Sequence, residues 1–570
     1  MKKTVAFSLL VALIFSCKPK KQKADLIIYN ATIYTVDNTF STTQALAIKD
    51  GKILATGSFE ELIGLYEPAE KTDATGNYIF PGLIDSHCHF YGYAMGLREI
   101  NLVGTNSFEE VIERVKKFAG ENPDAEWIVG RGWDQNDWAV KSYPDNRILD
   151  SLFPSKPVLL TRIDGHAALV NSEALKRANI NEKTSIAGGE LLYLSPSDQN
   201  SSRAGLVVNG TELSKHAKLS GLLIDNAVDM VSKVIPQKSK EKIEKALLAA
   251  QANCFAMGLT TLDDAGLLKP QIDIIDSLQK IGKLNIRIYA MLSDSSVNYD
   301  HYFKTGKYKT DYLNVCSFKF YGDGALGSRG ACMKQDYTDK KAWRGFLLSP
   351  PSHYASKANE MKEKGFQMNT HSIGDSSLKL LIDIYNTTLA ASENKRWRIE
   401  HCQIVSKDDL KKFKANGIIP SVQPTHATSD MYWAEERIGK ERIKYAYAYK
   451  DLLEAAGLVA LGTDFPVEDI SPFKTFYAAV FRKDNKGFPE KGFLTENALS
   501  RQEALKGMTI WGAYANFEEN EKGSLEAGKF ADFVILDTDL MKCEESKILK
   551  TKVIATYVGG KVVYSNTSIQ

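Results

Sequence analysis

The chain has 570 residues, of which 44% are hydrophobic, so it is long and apolar enough to bury a large core. Lysine and arginine total 72 against 70 aspartate and glutamate residues, a formal net charge of +2 that provides no broad basic surface. Nucleic acid is therefore excluded as an expected partner. The seven cysteines are scattered without a Cys-x-x-Cys pair, and a chain of this size needs no disulfide framework.

The first residues have the layout of a targeting segment. A basic start and an apolar run over residues 4–15 precede Cys17, and a run of this length is too short to span a bilayer. The four residues ending at Cys17, IFSC, resemble a bacterial lipobox, in which the cysteine is lipidated. We therefore expect a lipoprotein signal peptide over 1–17, a basic tether over 18–24, and membrane attachment through the N-terminal lipid only. This predicts a cell-envelope lipoprotein on the periplasmic or outer-membrane face; the alternative is an ordinary secretory signal with an incidental cysteine.

Two distant segments have the alternating pattern of β-hairpins. DLIIYNATIYTVD and ALAIKDGKILATG follow the tether, with Asp50-Gly51 as a turn, and KFADFVILD and VIATYVGGKVVYS lie near the C-terminus, with Gly559-Gly560 as a turn. Because the patterns are similar, we expect residues 25–77 and 515–570 to form one composite β-sandwich domain from both chain termini.

Between these segments, eight apolar runs each end in polar or charged residues. The runs are YIFPGLIDSHCHF (78–90), GLTTLDDAG (258–266), NIRIYAMLS (285–293), VCSFKFYGDG (315–324), FQMNTHSIGD (366–375), RWRIEHCQ (396–403), GIIPSVQPTH (417–426) and GLVALGTDFPV (457–467). Helix-like stretches separate most of them, which favours a parallel sheet with helices outside. The sequence therefore predicts an α/β fold, a (β/α)8 TIM-type barrel over 78–514 whose active site lies at the C-terminal strand ends.

One connection of this predicted barrel is far too long for a loop. About 170 residues separate His89 from Leu259, whereas ordinary connections have about 4–6 residues. We therefore expect a large inserted subdomain after the first barrel strand, over about 91–257.

Ionisable residues collect at the predicted strand ends. A single strand-end histidine is more often a hydrogen-bonded core residue, but four of the nine histidines and an aspartate on one rim suggest a shared role. Imidazole and carboxylate groups suit zinc or a similar divalent ion. His87 and His89 are two residues apart, so both can face one ion. The residues in question are His87, His89, Lys319, His371, His401 and Asp464.

Lys319 lies between Phe318 and Phe320 in a predicted strand, so it faces the barrel interior if the phenylalanines face the helices. An ammonium beside a divalent cation is repelled and desolvated, which lowers its pKa. The neutral amine could add CO₂ and give a carbamate able to bridge two metals. A pair with Asp323, or a lysine that reaches solvent at the barrel mouth, are the alternatives.

The glycines that follow match a dinucleotide-binding pattern without its context. Gly322, Gly324 and Gly327 form G-x-G-x-x-G, but that fingerprint requires a following helix, a second strand and an acidic residue about 20 positions on. Asp339, the acid nearest that offset, lies in a polar stretch. These glycines more simply permit a tight loop.

Six motifs occur in the order PGLIDSHCHF, KFYGDGALGSRGA, THSIGD, RIEHCQ, SVQPTH and LGTDFPV. Together they resemble the amidohydrolase superfamily, and they are most similar to its YtcJ-like and N-substituted-formamide-deformylase-like branch (amidohydrolase family 3). WIVGRGWDQNDW, RIDGHAALVN and GSLEAGKFADFVILD also resemble that branch. The resemblance covers nearly the whole chain after the signal and does not identify the substrate.

The resemblance implies one or two divalent ions, most simply zinc. It implies His87 and His89 as ligands of one metal and His371 and His401 as ligands of a second, with Lys319 bridging them as a CO₂-derived carbamate. Asp464 would hold the first metal and shuttle the proton. The expected catalytic residues are Asp464, Lys319 and His401, and the candidates for substrate binding are Trp133, Asp134, Asp164, His166, Arg329 and His426.

These implications predict an enzyme, a metal-dependent hydrolase that acts on a C–N bond other than a peptide bond in a small-molecule amide. Trp133 could instead pack the insertion, and Asp164 could cap a turn. The alternative function is a catalytically inactive, lipid-anchored metal- or ligand-binding protein, and a nicotinamide oxidoreductase is the third. A homodimer is considered as the assembly.

Overall fold

The computed structural model describes residues 21–194, 206–207, 218–236, 239–389 and 395–566, with backbone only for 206–207. The predicted signal peptide and the lipidation site at Cys17 lie outside the described residues. Among the helices that are described, none combines the length and apolar character needed to cross a bilayer. The strand Gln22–Tyr29 begins inside the predicted tether over 18–24, because its first residues pair in parallel with Tyr66–Asp73.

Eight parallel strands form the predicted barrel, paired in chain order. The end of the eighth strand meets the first, where the Asp464 N–H donates to the His87 carbonyl at 2.7 Å and the His89 N–H donates to the Phe465 carbonyl at 2.8 Å. These bonds leave the barrel nearly closed, which confirms the predicted (β/α)8 fold class. The strands are Leu83–Cys88, Leu259–Leu267, Arg287–Ser293, Leu313–Tyr321, Gln367–Ser372, Arg398–His401, Ile419–Val422 and Ala460–Leu461.

Helices cover the outside of the barrel because the strands are apolar on that face. Phe318 stacks on Tyr299 of the outer helix Ser296–Thr305, with ring centroids 5.1 Å apart. Ser500 and Glu503 form a capping box at the start of a helix, as their spacing predicts. The outer helices are Lys240–Ala256, Lys269–Lys280, Ser296–Thr305, Pro351–Lys364, Asp375–Leu389, Lys407–Leu410, Pro424–Asp430, Ala434–Arg442, Tyr449–Ala456, Pro472–Phe481, Arg501–Gly507 and Ile510–Ala515.

The insertion after the first barrel strand contains a seven-stranded mixed sheet with an apolar cluster on each face. Its strands, in sheet order, are Leu206–Val207, Gly189–Leu194, Leu219–Asp225, Ala167–Val170, Val158–Arg162, Ile128–Trp133 and Ile100–Asn101. Its helices are Phe108–Glu121, Arg147–Leu152, Ser172–Arg177 and Asn226–Ser232. The flanking helices Phe90–Gly96 and Lys240–Ala256 contribute buried residues to the barrel core, although most of both lies within the predicted insertion over about 91–257.

Two further sheets face each other and combine strands from both chain termini, as the fold prediction requires. Buried residues from both sheets, including Ile28, Ile79 and Phe533, pack in one cluster. The first sheet contains Gln22–Tyr29, Ala45–Lys49, Lys52–Gly57 and Tyr66–Asp73, and the second contains Thr32–Tyr34, Thr42–Thr43, Tyr78–Pro81, Phe533–Leu536, Val553–Val558 and Lys561–Ser565. The helix Phe59–Leu65 packs on the first sheet. The residue boundaries assigned to the domains remain predictions.

The run predicted as the first barrel strand serves two sheets. Tyr78–Pro81 pairs with Phe533–Leu536 in the sandwich, and Leu83–Cys88 continues into the barrel. Gly82 connects them, and a Cβ there would lie 2.2 Å from Thr260 Oγ1, so the close approach of the neighbouring strand requires glycine. The sandwich and the first barrel strand are therefore one continuous backbone.

Candidate metal centre

The predicted ligands converge at the C-terminal ends of the barrel strands. The imidazole centroid of His401 lies 4.9 Å from that of His87, 4.5 Å from that of His371 and 5.9 Å from that of His426. The His89 ring lies 5.7 Å from the His87 ring. Five histidines from three strand ends and the helix Pro424–Asp430 after the seventh strand thus form one cluster.

Asp464 belongs to two groups of candidate ligand atoms. Those of His87, His89 and Asp464 lie within 4.8 Å of one another, and so do those of His401, His426 and Asp464. His426, a predicted substrate-binding residue, thus also lies within ligand distance of His401 and Asp464. His371 remains in the cluster, with its Nε2 3.6 Å from Asp323 Oδ1.

These side chains fit a divalent cation. His371 Nε2, His401 Nδ1 and His426 Nε2 are buried and have no hydrogen-bond partner among the described residues, and each unsatisfied atom of this kind costs about 1–3 kcal/mol. Burial holds the pKa of His371 and His401 well below the ordinary value, so both imidazoles are neutral, the form that binds metal. Imidazole nitrogen and carboxylate oxygen are the donors that zinc prefers.

Asp464 is ionised despite its burial. Burial alone would raise the pKa of this carboxyl, but the opposing effects of His89 and His87 keep it well below the ordinary value. Its backbone φ is +63° and that of His401 is +72°. Non-glycine residues rarely adopt this conformation, and the strain costs on the order of 1–3 kcal/mol. Both side chains are therefore held in the cluster by strained backbone.

Lys319 is fully buried in the same interior. Its Nζ lies 3.2 Å from His87 Nε2 and 4.7 Å from the centroid of the Tyr321 ring. Burial lowers the pKa of this ammonium to about 8. The alternative pair with Asp323 is absent, because the Asp323 carboxylate accepts hydrogen bonds from three backbone N–H groups of neighbouring loops. Lys319 does not reach solvent either.

Glu400, which is not among the predicted site residues, orients His87. Its carboxylate oxygen Oε2 lies 2.5 Å from His87 Nδ1, and the Arg398 Nε–H donates to Oε1 at 2.7 Å. All three side chains are fully buried. Burial would raise the pKa of Glu400, but Arg398 and His87 hold it well below the ordinary value. The ionised carboxylate therefore fixes the tautomer that leaves His87 Nε2 facing the cluster.

The predicted substrate residues divide between the insertion and the cluster. Trp133 packs in the insertion core, where its indole N–H donates to the Leu160 carbonyl at 2.8 Å. Asp134 and Asp164 both form ion pairs with the buried Arg162. Asp164 also caps a turn, because its side chain accepts a hydrogen bond from the His166 N–H at 3.0 Å. These side chains stabilise the insertion and the turn that follows its strand Val158–Arg162.

His166 ends that turn and contacts the cluster. Its Nδ1 lies 2.6 Å from Asp225 Oδ1, and its ring centroid lies 5.2 Å from that of His371. Arg329 instead pairs with Asp339 at 2.8 Å. The insertion therefore places one histidine beside the metal ligands.

A barrel with neutral imidazoles and an ionised carboxylate at its C-terminal strand ends defines a metal-dependent hydrolase. The chain belongs to the amidohydrolase family, whose model matches residues 70–564. The predicted family and a hydrolase acting on C–N bonds are thereby confirmed.

Three relatives and one solved structure are similar over nearly the whole chain. Protein LONG AFTER FAR-RED 3 of Arabidopsis thaliana is 31% identical over 95% of this chain and 92% of its own length. Putative amidohydrolase YtcJ of Bacillus subtilis is 28% identical over 94% and 98%. N-substituted formamide deformylase of Arthrobacter pascens is 24% identical over 96% and 99%. An uncharacterized metal-dependent hydrolase from Pyrococcus horikoshii has a TM-score of 0.71 at 27% identity over 91% and 99%.

We predict that Glu400→Gln weakens metal binding roughly 10- to 100-fold, because the substitution removes the carboxylate that orients His87 and increases its basicity. The measurement is metal affinity by competition with a chromophoric chelator. Glu441→Gln is the matched control, because Glu441 lies on the surface in an exposed pair with Lys444. This variant should bind metal like the parent protein. Unchanged affinity in a folded Glu400→Gln variant would contradict the role assigned to Glu400.

Proposed function

We propose that the protein is a metal-dependent amidohydrolase that hydrolyses the amide-type C–N bond of a small molecule at the bacterial cell envelope. The observation that carries the proposal is the group of buried imidazole nitrogens without partners around the ionised Asp464. The name of the Arthrobacter pascens relative, N-substituted formamide deformylase, supports an amide substrate.

One or two divalent ions would be held by the cluster, most simply as zinc, with the two groups that share Asp464 as candidate sites. When bound, such an ion supplies Lewis acidity toward water and toward a carbonyl oxygen. His371 and His401 are already neutral, so they provide ligands without first losing protons.

Asp464 is the proton shuttle in this proposal. Its carboxylate accepts a proton from the attacking water as the new C–O bond forms at the carbonyl carbon. It then returns that proton to the amine nitrogen as the C–N bond breaks, so it acts first as base and then as acid. Its low pKa ensures that the carboxylate is ionised and able to accept the proton before the reaction.

The test is a substrate panel of N-formyl amines, N-acyl amines and cyclic amides, assayed by amine release with zinc-loaded protein. We expect turnover of at least one class and a severe loss of kcat, on the order of 100-fold or more, in Asp464→Asn. Metal content is measured in parallel, because the variant is informative only when its metal site is loaded. Near-normal turnover by the loaded variant would eliminate Asp464 as the shuttle. Bound metal without turnover of any amide by the parent would favour the inactive binding protein.

We further propose that Lys319 carries a carbamate. Its amine is buried, its pKa is lowered to about 8, and it has no carboxylate partner within 4 Å among the described residues. A neutral amine adds CO₂ at nitrogen and releases one proton, so a cation is replaced by an anion with two oxygens. That anion would be suited to bridging two metal ions.

Lys319→Ala should lower both metal content and activity, because it removes the bridging anion. Formate or acetate should restore part of the activity by supplying a two-oxygen anion in the vacated space. Lys319→Arg is the matched control that receives the same additives; it should stay inactive, because guanidinium remains charged and cannot carry CO₂. Full metal occupancy in Lys319→Ala, or an unmodified amine in a density map of the metal-loaded protein, would contradict the carbamate.

The envelope location depends on Cys17, which lies outside the described residues. Cys17→Ser should release the protein from the membrane fraction or leave the precursor unprocessed, because the acyl chains can no longer be attached. Fractionation and mass spectrometry of the mature N-terminus are the measurements. A soluble parent protein without an acylated N-terminus would contradict the lipid anchor while leaving the hydrolase proposal intact.

A further inference from the structure

One arginine at the junction of the insertion and the barrel lacks the partner that its neighbours have. Arg162, Arg329 and Arg437 each pair with a carboxylate. Arg131 has no carboxylate within 4 Å among the described residues, and its one hydrogen bond runs from Nη2 to the Ile163 carbonyl at 3.0 Å. Its Nε is buried without a partner. Four of the five guanidinium N–H groups therefore have no hydrogen-bond partner among the residues that the structure describes.

Arg131 lies close to the cluster of metal ligands. It sits in the strand Ile128–Trp133 beside Thr161 of the neighbouring strand, and its guanidinium contacts the turn that follows. A Cβ on Gly165 would lie 3.3 Å from Nη2, so the glycine allows this close contact. His166 completes the turn, and three residues of chain span at most about 10 Å. The guanidinium therefore lies against the residue that precedes His166, whose ring contacts His371, and it is near enough to Asp464 for the two charges to interact.

An unpaired guanidinium in this position is unfavourable without a ligand. Burial lowers the pKa of Arg131, and the negative charges of Asp464, Asp164 and Glu99 oppose that shift. Arginine nevertheless stays protonated in proteins. Arg131 is half-buried and its Nε is fully buried, so water solvates the charge only in part, and no counter-charge from the described part of the chain lies beside it. The structure therefore presents a cation with free donors beside the proposed reaction site.

We propose that Arg131 binds a carboxylate of the substrate, so that the substrates are amides bearing a carboxylate, such as N-acyl or N-formyl amino acids. This inference rests on the proposed amide hydrolysis. A planar carboxylate accepts two parallel N–H bonds from one guanidinium, which neutralises the charge and satisfies the fork. The metal ligands would act on the amide end while Arg131 holds the acid end.

Matched substrate pairs test this assignment. The probes are N-acetyl and N-formyl derivatives of glycine, alanine, leucine and phenylalanine, each compared with its C-terminal amide, which replaces the carboxylate by a neutral group of similar shape. The parent enzyme should prefer the acid by roughly 10- to 100-fold in kcat/KM. Arg131→Gln can still donate to the Ile163 carbonyl but has no charge, so it should lose most of that preference. Arg131→Lys should retain part of it.

Arg177→Gln is the control, because Arg177 lies in the insertion but pairs with Glu173 on a surface helix. It should keep the parent preference. If Arg131→Gln lowers kcat/KM for acid and amide equally, the arginine merely supports the turn and the proposal is overturned. A parent enzyme that prefers the neutral amide would overturn it as well. Melting temperatures establish that each variant is folded.

Binding separates this inference from the proposed function. The same probes are titrated calorimetrically into zinc-loaded Asp464→Asn, and into the double variant with Arg131→Gln. Tighter binding of the acid that depends on Arg131 supports the inference even if no probe is hydrolysed. Turnover without any acid preference in binding would refute the inference and leave amide hydrolysis standing.

Discussion

A chain of buried charges along the barrel interior sets the geometry on which the metal centre depends. Asp263 accepts from Arg398 at 2.8 Å, Arg398 donates to Glu400, and Glu400 contacts His87. Removing such groups from water costs several kcal/mol per ion, and their close hydrogen bonds offset that cost only while every member is present. Burial raises the pKa of Asp263 to about 7 even beside Arg398. The interior is therefore an environment in which a carboxylate needs a positive neighbour.

The same constraint explains why the cluster suits a cation. Asp85, Asp264 and Asp323 are also buried, and burial raises the pKa of each to about 7. The buried cations among the described interior residues include Lys319 and Arg398. Burial lowers the pKa of Lys319, and Arg398 is already paired with Asp263 and Glu400. Carboxyl groups thus outnumber stable positive charges around the histidines. A divalent ion at Asp464 would correct this imbalance, which a neutral ligand could not do.

The barrel and its donor set were accessible from the sequence because both depend on local pattern. Continuous apolar strands ending in polar residues indicate a parallel barrel, and the strand ends must share one rim. Glu400 was missed because regular alternation would place it on the face opposite His401. The positive φ of His401 breaks that alternation and lets both side chains face inward. The sequence did contain a signal for Glu400, because Arg398 and Glu400 are charged residues two apart in a run otherwise typical of a buried strand.

Contacts between segments far apart in the sequence explain the remaining differences between the predicted site and the observed one. Trp133 belongs to a motif of the family, yet its large apolar surface packs in the insertion, which no local pattern could distinguish from substrate binding. The proximity of His426 to His401 and Asp464 depends on distances between segments far apart in the sequence, which no local pattern specifies. Likewise, the insertion contributes Arg131 only because its turn lies against the barrel mouth. The insertion thus provides candidate groups for substrate selection, while the barrel provides the metal ligands.

The continuous backbone from sandwich to first barrel strand has a consequence for how the protein is made. Tyr78–Pro81 pairs with Phe533–Leu536, which is synthesised about 450 residues later. At about 5–20 residues per second, roughly 20 s or more pass between the two strands emerging from the ribosome. Until the later strand arrives, Tyr78–Pro81, which leads into the strand carrying His87, has a partner on one side only, the strand Thr32–Tyr34. The sandwich is therefore completed late, and a chain that stops before Phe533 retains its histidines but lacks one of the two strands that hold the segment leading into the first barrel strand.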